Sequence, residues 1–211
     1  MRYIIIGSGS IENDDLLTQV LARADRIVCA DGGTGYLAEK EIIPDMVIGD
    51  FDSIKDNALA FIQKNRIPVL KYPVKKDASD TELAVLWAME NRASEIIMMG
   101  TTGTRLDHTL ANLFLMKKIA LRGIRCRTID DHNEIFPVLD TLTLKGKPGE
   151  LLSIIPAGEK VEGVTLTGVE YPLENAEISM GSSLGISNCF IRETAVIKIK
   201  KGFLLVTKSR D

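Results

Sequence analysis

The residues best suited to chemistry in this chain are carboxylates that recur behind short apolar runs. Asp31 sits in Ala30-Asp31-Gly32-Gly33, Asp50 and Asp52 flank Phe51, Asp77 and Asp80 share one polar segment, and Asp107 follows a loop rich in glycine and threonine. Carboxylates gathered in one place repel one another, and away from water their charged form is disfavoured. A hard divalent cation relieves both penalties, and Mg²⁺ is commonly held by one or two carboxylates together with substrate phosphates. Asp50 and Asp52, two residues apart, reach a single ion only where a strand has ended and the backbone turns, which Gly49 permits. A lone aspartate before a helix has a plainer use as an N-cap. Acids at several successive strand ends exceed what capping needs.

Other groups add to this pattern. Gly100-Thr101-Thr102-Gly103-Thr104-Arg105 offers amides, hydroxyls and a guanidinium fork to phosphate oxygens. It is not a GxxxxGK[ST] loop, and Gly7-Ser8-Gly9 lacks the complete dinucleotide fingerprint, so either segment also reads as a strand-to-helix turn. His108, at the expected start of a helix, can bond a nucleotide or a neighbouring carboxylate, whereas His132 reads as a surface or junction residue. Lys75-Lys76 reads as a solvated turn, the usual fate of exposed lysines. Ser53 and Cys29 have no nearby histidine base and are poor nucleophiles. The small polar groups of Gly181 through Asn188 suit turns, or the recognition of a compact polar ring.

The elements that must position these groups alternate over about the first 130 residues. Strands are predicted at 3–6, 26–30, 46–48, 68–71, 95–99 and 125–129, and helices at 14–21, 34–40, 55–64, 79–90 and from Leu106 onward. Ser79 and Glu82 form a Ser-x-x-Glu capping box at one helix start. Such alternation predicts a mostly parallel sheet covered on both faces, with ligands at the carboxyl ends of its strands. Beyond Asp130 only short strand candidates remain, at 141–144, 151–155, 161–167, 176–180, 195–200 and 203–207, with Lys201-Gly202 suggesting a tight hairpin between the last two. The expectation is an α/β protein: a Rossmann-like, mostly parallel sheet domain over residues 1–135, then a small all-β sandwich over 136–211.

Composition narrows the classes. The chain has 211 residues, 45% of them apolar, with 26 Lys and Arg against 29 Asp and Glu and a net charge of -3. Compositional disorder is excluded, and no electrostatic reason exists to expect a nucleic-acid partner. Three scattered cysteines and two histidines argue against a disulfide framework or a zinc site. The apolar start, Tyr3 to Ile6, is too short for a signal-peptide core, and no run approaches the roughly 18 residues of a membrane span. A cytoplasmic protein with no membrane partner is expected.

Ala30-Asp31-Gly32-Gly33, Gly49-Asp50-Phe51-Asp52-Ser53, Lys76-Asp77-x-Ser79-Asp80-x-Glu82, Gly100-x-x-Gly103-x-Arg105-Leu106-Asp107-His108 and Ser187-Asn188 together resemble, in order and spacing, the thiamine pyrophosphokinase family. The resemblance extends over nearly the whole chain. It implies pyrophosphoryl transfer from ATP to thiamine, a requirement for Mg²⁺, and a homodimer in which each thiamine site is completed across subunits. Carried over by motif, Asp50, Asp52 and Asp80 are the metal-associated residues. Asp31, Asp77 and Asp107 are supporting carboxylates for metal, substrate or water. Gly32, Thr101, Thr102, Gly103, Arg105 and His108 belong to the nucleotide side, and Ser187 and Asn188 to the thiamine side, acting in the partner's site. Two departures stand out: Thr104 replaces a second glycine frequent before the arginine, and Ser79 replaces a frequent threonine. The acidic pocket alone is equally compatible with another Mg²⁺-dependent transferase using a different small alcohol, or with a noncatalytic nucleotide or thiamine sensor.

Overall fold

The apolar runs of the first part of the chain become parallel strands because each is followed by a helix that returns the chain to the same end. The computed structural model describes residues 1–52 and 54–210, and Ser53 of the acidic motif lies outside the described residues. The chain divides into two units, one of Met1–Leu115 with Gly123–Asp131, the other of Met116–Arg122 with the residues from His132 onward.

In the first unit, β1 (Arg2–Ile6), β2 (Arg26–Ala30), β3 (Met46–Gly49), β4 (Val69–Lys71), β5 (Glu95–Met99) and β6 (Arg125–Ile129) lie in the order β6-β5-β1-β2-β3-β4. Every neighbouring pair is parallel. Successive residues Ile4, Ile5 and Ile6 of β1 and Ile96, Ile97 and Met98 of β5 are all buried, so both faces are covered and the strands read as continuous apolar runs. The helices are α1 (Asp14–Leu21), α2 (Thr34–Glu39), α3 (Asp56–Asn65), α4 (Asp80–Glu90) and α5 (Leu106–Ala120), the last of which runs on past Leu115 into the second unit. Ser79 caps α4, its hydroxyl accepting from the Glu82 amide at 3.2 Å.

The strand order reverses between β1 and β5, which places a crevice at their carboxyl ends. The two loops leaving these strands meet there: the Gly9 amide donates to the Gly100 carbonyl at 2.6 Å and the Ser10 amide to the Thr102 carbonyl at 3.0 Å. A Cβ on Gly9 would stand 2.1 Å from the Thr102 carbonyl oxygen, so only glycine allows this approach.

The second unit holds β7 (Asn133–Val138), β8 (Thr141–Lys145), β9 (Leu151–Pro156), β10 (Lys160–Thr167), β11 (Leu173–Ser179), β12 (Asn188–Cys189), β13 (Thr194–Lys198) and β14 (Leu204–Ser209). They pair antiparallel in two groups, β12-β9-β14-β7 and β11-β10-β13-β8. Leu152, Ile154 and Val206 from one group share a core with Val164, Leu166 and Ile197 from the other. The chain is therefore an α/β protein with mixed parallel and antiparallel strand pairing.

The hairpin expected at Lys201-Gly202 is not formed. β13 pairs with β8 and β10, whereas β14 pairs with β7 and β9, so the turn carries the chain from one group to the other. Alternation of apolar residues determines which face of a strand meets the core, but not which neighbour it takes. Two strands were not expected: β7, where Pro137 removes a ladder donor, and the two-residue β12.

Candidate functional site

β2 and β3 are adjacent, so the loops that follow them lie side by side. Asp31 follows β2 in a left-handed conformation, φ 42°, and its carbonyl accepts from the buried Thr34 hydroxyl at 2.8 Å. Phe51 follows β3, also left-handed at φ 68°, and its amide donates to Asp31 Oδ1 at 3.1 Å. Non-glycine residues in this region cost about 1 kcal/mol or more, and persist where surrounding structure over-determines them. Here the two strained turns close on each other and aim three carboxylates at one place. Asp31, Asp50 and Asp52 each present an oxygen, all within 4.8 Å of one another. An oxygen-only set of this kind fits a hard divalent cation such as Mg²⁺.

Asp80 stands outside that trio. Lys76 lies between it and Asp50, with Nζ 2.7 Å from Asp50 Oδ2 and 2.8 Å from Asp80 Oδ1. The second contact is an ion pair without a well-directed hydrogen bond. The reading of Lys76 as a solvated turn residue is thus overturned, since its side chain is only 12% exposed; Lys75 beside it is exposed. A lysine accepts such burial only where carboxylates pair with it. The hydrogen bond from Lys76 is the main cause that holds the Asp50 carboxyl below the usual carboxylate range. Burial pushes Asp80 upward, and the opposing pull of Lys76 does not cancel it. Burial also disfavours the Lys76 ammonium, but its contacts with the Asp50 and Asp80 carboxylates together raise its pKa. Asp77 is exposed and is not a member of the acid trio.

The loops after β1 and β5 enclose a cavity of about 320 Å³, lined by Ser8, Tyr36, Thr101, Thr102, Arg105 and His108 among others. Its walls are held in place by hydrogen bonds: the Tyr36 hydroxyl donates to the Gly9 carbonyl at 2.7 Å, Asn112 Nδ2 to the Thr101 carbonyl at 2.8 Å, and the Thr102 hydroxyl to Asp130 at 3.1 Å. Gly103 is fixed by its amide, which donates to the Thr109 hydroxyl at 3.2 Å. Thr101 is 3% exposed, and its buried hydroxyl has no hydrogen-bond partner among the described residues. Such a group is costly unless a ligand or water satisfies it. A second cavity of about 320 Å³ shares Ser8 and Tyr36 and is also lined by Gly32, Lys55 and Asn57.

Asp107 lies outside the acid trio. It is exposed and receives both arms of Arg105, at 2.6 and 3.3 Å, while His108 Nε2 lies 4.0 Å away. The Arg105 hydrogen bond holds the Asp107 carboxyl down to about 2. Whatever stability this pair contributes is present above the ordinary carboxylate range and is lost as pH falls toward that value; exposure and salt keep it small. Carboxyl-selective NMR is expected to show Asp107 titrating near 2 in the native chain. In Arg105→Ala it should return to the ordinary range, and an unchanged midpoint there would contradict the pairing.

The second unit has its own cavity, of about 510 Å³, lined by Tyr171, Leu184, Ile186 and Asn188 among others. Ser187 is exposed and left-handed, φ 54°, and its amide donates to the Ser153 hydroxyl at 2.9 Å. Asn188 is 1% exposed: its Oδ1 accepts from the Tyr171 and Cys189 amides, and its Nδ2 donates to the Tyr171 carbonyl at 2.8 Å. Asn188 therefore holds the backbone beside the exposed Tyr171 ring, an aromatic wall that the sequence pattern had not singled out. Asn188→Ala would leave both Tyr171 backbone groups without these partners and should lower unfolding free energy by about 2 kcal/mol. Urea denaturation checks this; an unshifted midpoint would show that the bonds are dispensable.

The thiols are not part of either site's chemistry. Cys29 and Cys126 are buried and pushed up to about 12 by that burial, and the Cys189 thiol donates to Glu170.

Fold and site together define an α/β protein whose parallel strand ends carry a trio of carboxylates that could hold a divalent cation, beside a pocket of amides and hydroxyls suited to an anion. Its relatives are specific. A family model described as thiamin pyrophosphokinase, catalytic domain, matches residues 17–128, and one described as thiamin pyrophosphokinase, vitamin B1 binding domain, matches residues 141–204. Thiamine pyrophosphokinase of Bacillus subtilis (strain 168) is 38% identical over 183 residues, 86% of each chain. The crystal structure of thiamine pyrophosphokinase from Bacillus subtilis superposes with a TM-score of 0.88 at 32% identity, covering 100% of both chains. That of thiamin pyrophosphokinase from Geobacillus thermodenitrificans gives 0.86 at 33%, covering 100% of this chain and 98% of the other. The chain belongs to the thiamine pyrophosphokinase family.

Proposed function

We propose that this chain transfers the pyrophosphoryl group of ATP to the hydroxyethyl oxygen of thiamine, giving thiamine diphosphate and AMP. The observation that carries the reading is the trio of Asp31, Asp50 and Asp52 at adjacent parallel strand ends, inside the segment that matches the family's catalytic domain. In the reaction the thiamine oxygen bonds to the β phosphorus, the bond from that phosphorus to the α-β bridging oxygen breaks, and the alcohol proton passes to a carboxylate or water of the acid site. Asp31, Asp50 and Asp52 would hold Mg²⁺, which would supply charge to stabilise the polyphosphate oxygens. Arg105, His108 and the unpaired Thr101 hydroxyl line the cavity that suits the nucleotide. Positioning and electrostatic stabilisation account for catalysis of this type, with no covalent enzyme intermediate.

The same reading assigns ATP and Mg²⁺ to a Rossmann-like domain, and thiamine recognition to a β-sandwich, where Tyr171 offers a ring face. It also takes the enzyme as a cytoplasmic homodimer with Ser187 and Asn188 acting toward the partner's site. Leu106, Leu110 and Phe114, exposed and one helical turn apart on α5, support an apolar contact face.

The test is a purified-protein reaction with ATP, thiamine and Mg²⁺, read by mass detection of both products, with each component omitted in turn. Thiamine diphosphate and AMP should form only in the complete mixture. A folded protein that binds thiamine but yields no AMP would make it a sensor, and AMP formed only with another alcohol would change the acceptor.

A further inference from the structure

The acid site carries its own cation. Lys76 extends a mostly buried side chain between Asp50 and Asp80, its Nζ 2.7 and 2.8 Å from their oxygens, and Asp50 is at the same time one of the trio that fits a divalent ion. Asp50 Oδ2 faces Lys76, while Oδ1 accepts from the Asp52 amide at 3.3 Å. The Lys71 ammonium stands 6.0 Å from the centre of the Phe51 ring. We propose that Lys76 is the resident counter-cation of this site: it keeps Asp50 and Asp80 in place before a divalent ion arrives, weakens binding of the free ion, and favours the ion that arrives already bound to polyphosphate.

The proposal rests on the cation reading of Asp31, Asp50 and Asp52 and follows from charge. A fixed ammonium in contact with a ligand carboxylate repels an approaching divalent ion and occupies one oxygen that would otherwise face it. An ion bound to a nucleotide brings surplus negative charge, to which the same ammonium is attractive. One residue thus acts with opposite signs on the free ion and on its nucleotide complex. A lysine that only braced the loop would not show this split.

The experiment measures Mn²⁺ binding by calorimetry or electron paramagnetic resonance, with and without a non-hydrolysable ATP analogue, in the native chain and in Lys76→Met, Lys76→Gln and Lys76→Arg. Removing one charge at this distance should tighten free Mn²⁺ about tenfold in the Met and Gln variants, and weaken the Mn²⁺-analogue complex by about the same factor. Lys76→Arg should stay close to the native values, and Lys75→Met should be unaffected. Glutamine keeps a hydrogen-bonding group and carries the test if the methionine variant fails to fold. Free Mn²⁺ binding that is unchanged or weaker in the uncharged variants overturns the role of Lys76 alone. A native chain that binds no Mn²⁺ with or without the analogue overturns the cation reading of the site, and this inference with it.

Discussion

Asp50→Asn is expected to lower turnover by about three orders of magnitude, the scale of losing a principal contact to an ion that stabilises transferring phosphate. Asp50 is the residue common to both halves of the site, since it joins Asp31 and Asp52 in the trio and also holds the Lys76 ammonium. Asparagine has nearly the same shape and can still accept from the Asp52 amide, so the loop should fold. What disappears is one negative charge shared by two cations. Asp80→Asn should cost less, because Asp80 stands across Lys76 from the trio. Steady-state formation of AMP, with Mg²⁺ both saturating and limiting, measures both variants. An Asp50→Asn enzyme with native turnover at limiting Mg²⁺ would show that the ion is held elsewhere.

Gly9→Ala should have the largest effect on how the nucleotide-side cavity assembles. The added methyl would lie 2.1 Å from the Thr102 carbonyl oxygen and 2.7 Å from that of Gly100, and both obstacles are backbone that cannot rotate away. The loops must separate, and the bond from the Ser10 amide to the Thr102 carbonyl lengthens or breaks. Overpacking of this kind costs about 2–3 kcal/mol. The urea midpoint should fall accordingly, and affinity for an ATP analogue should fall with it because Thr101 and Thr102 line the same cavity. A variant with native midpoint and affinity would show that the loops are looser than their hydrogen bonds indicate.

Much of the α/β pattern was legible because it rests on local periodicity. Residues 3–6 and 96–99 are unbroken apolar runs, and both lie in strands buried on two faces. The spacing of Asp50 and Asp52 around a turn likewise pointed at a shared position. Partners set by strand order were not legible. Asp31 was read only as one of several acids at strand ends; that it, rather than Asp80, stands directly with Asp50 and Asp52 follows because β2 and β3 are neighbours in the sheet, a relation that no local window contains. Lys76 read as solvated for the same reason: nothing near it in sequence says that the end of β3 faces it. The partner of Asp107, a guanidinium two residues away, was not read from the motif either. The two strands flanking Lys201-Gly202 were correct as strands and wrong as a pair.

That last arrangement also dictates an order of events. β14 lies between β9 and β7, and Val206 pairs at once with Ile154 and Phe136, so this strand closes its sheet from the middle. A chain synthesised from its amino end exposes β7 and β9 before the strand that joins them exists. Loop closure over such separations is slow compared with local helix formation. During that interval two apolar strands wait with unpaired edges, open to non-native pairing with other chains. The yield of folded protein should therefore depend on how quickly β14 arrives, and slowing translation just before Leu204 would lengthen the exposure without altering a single native contact.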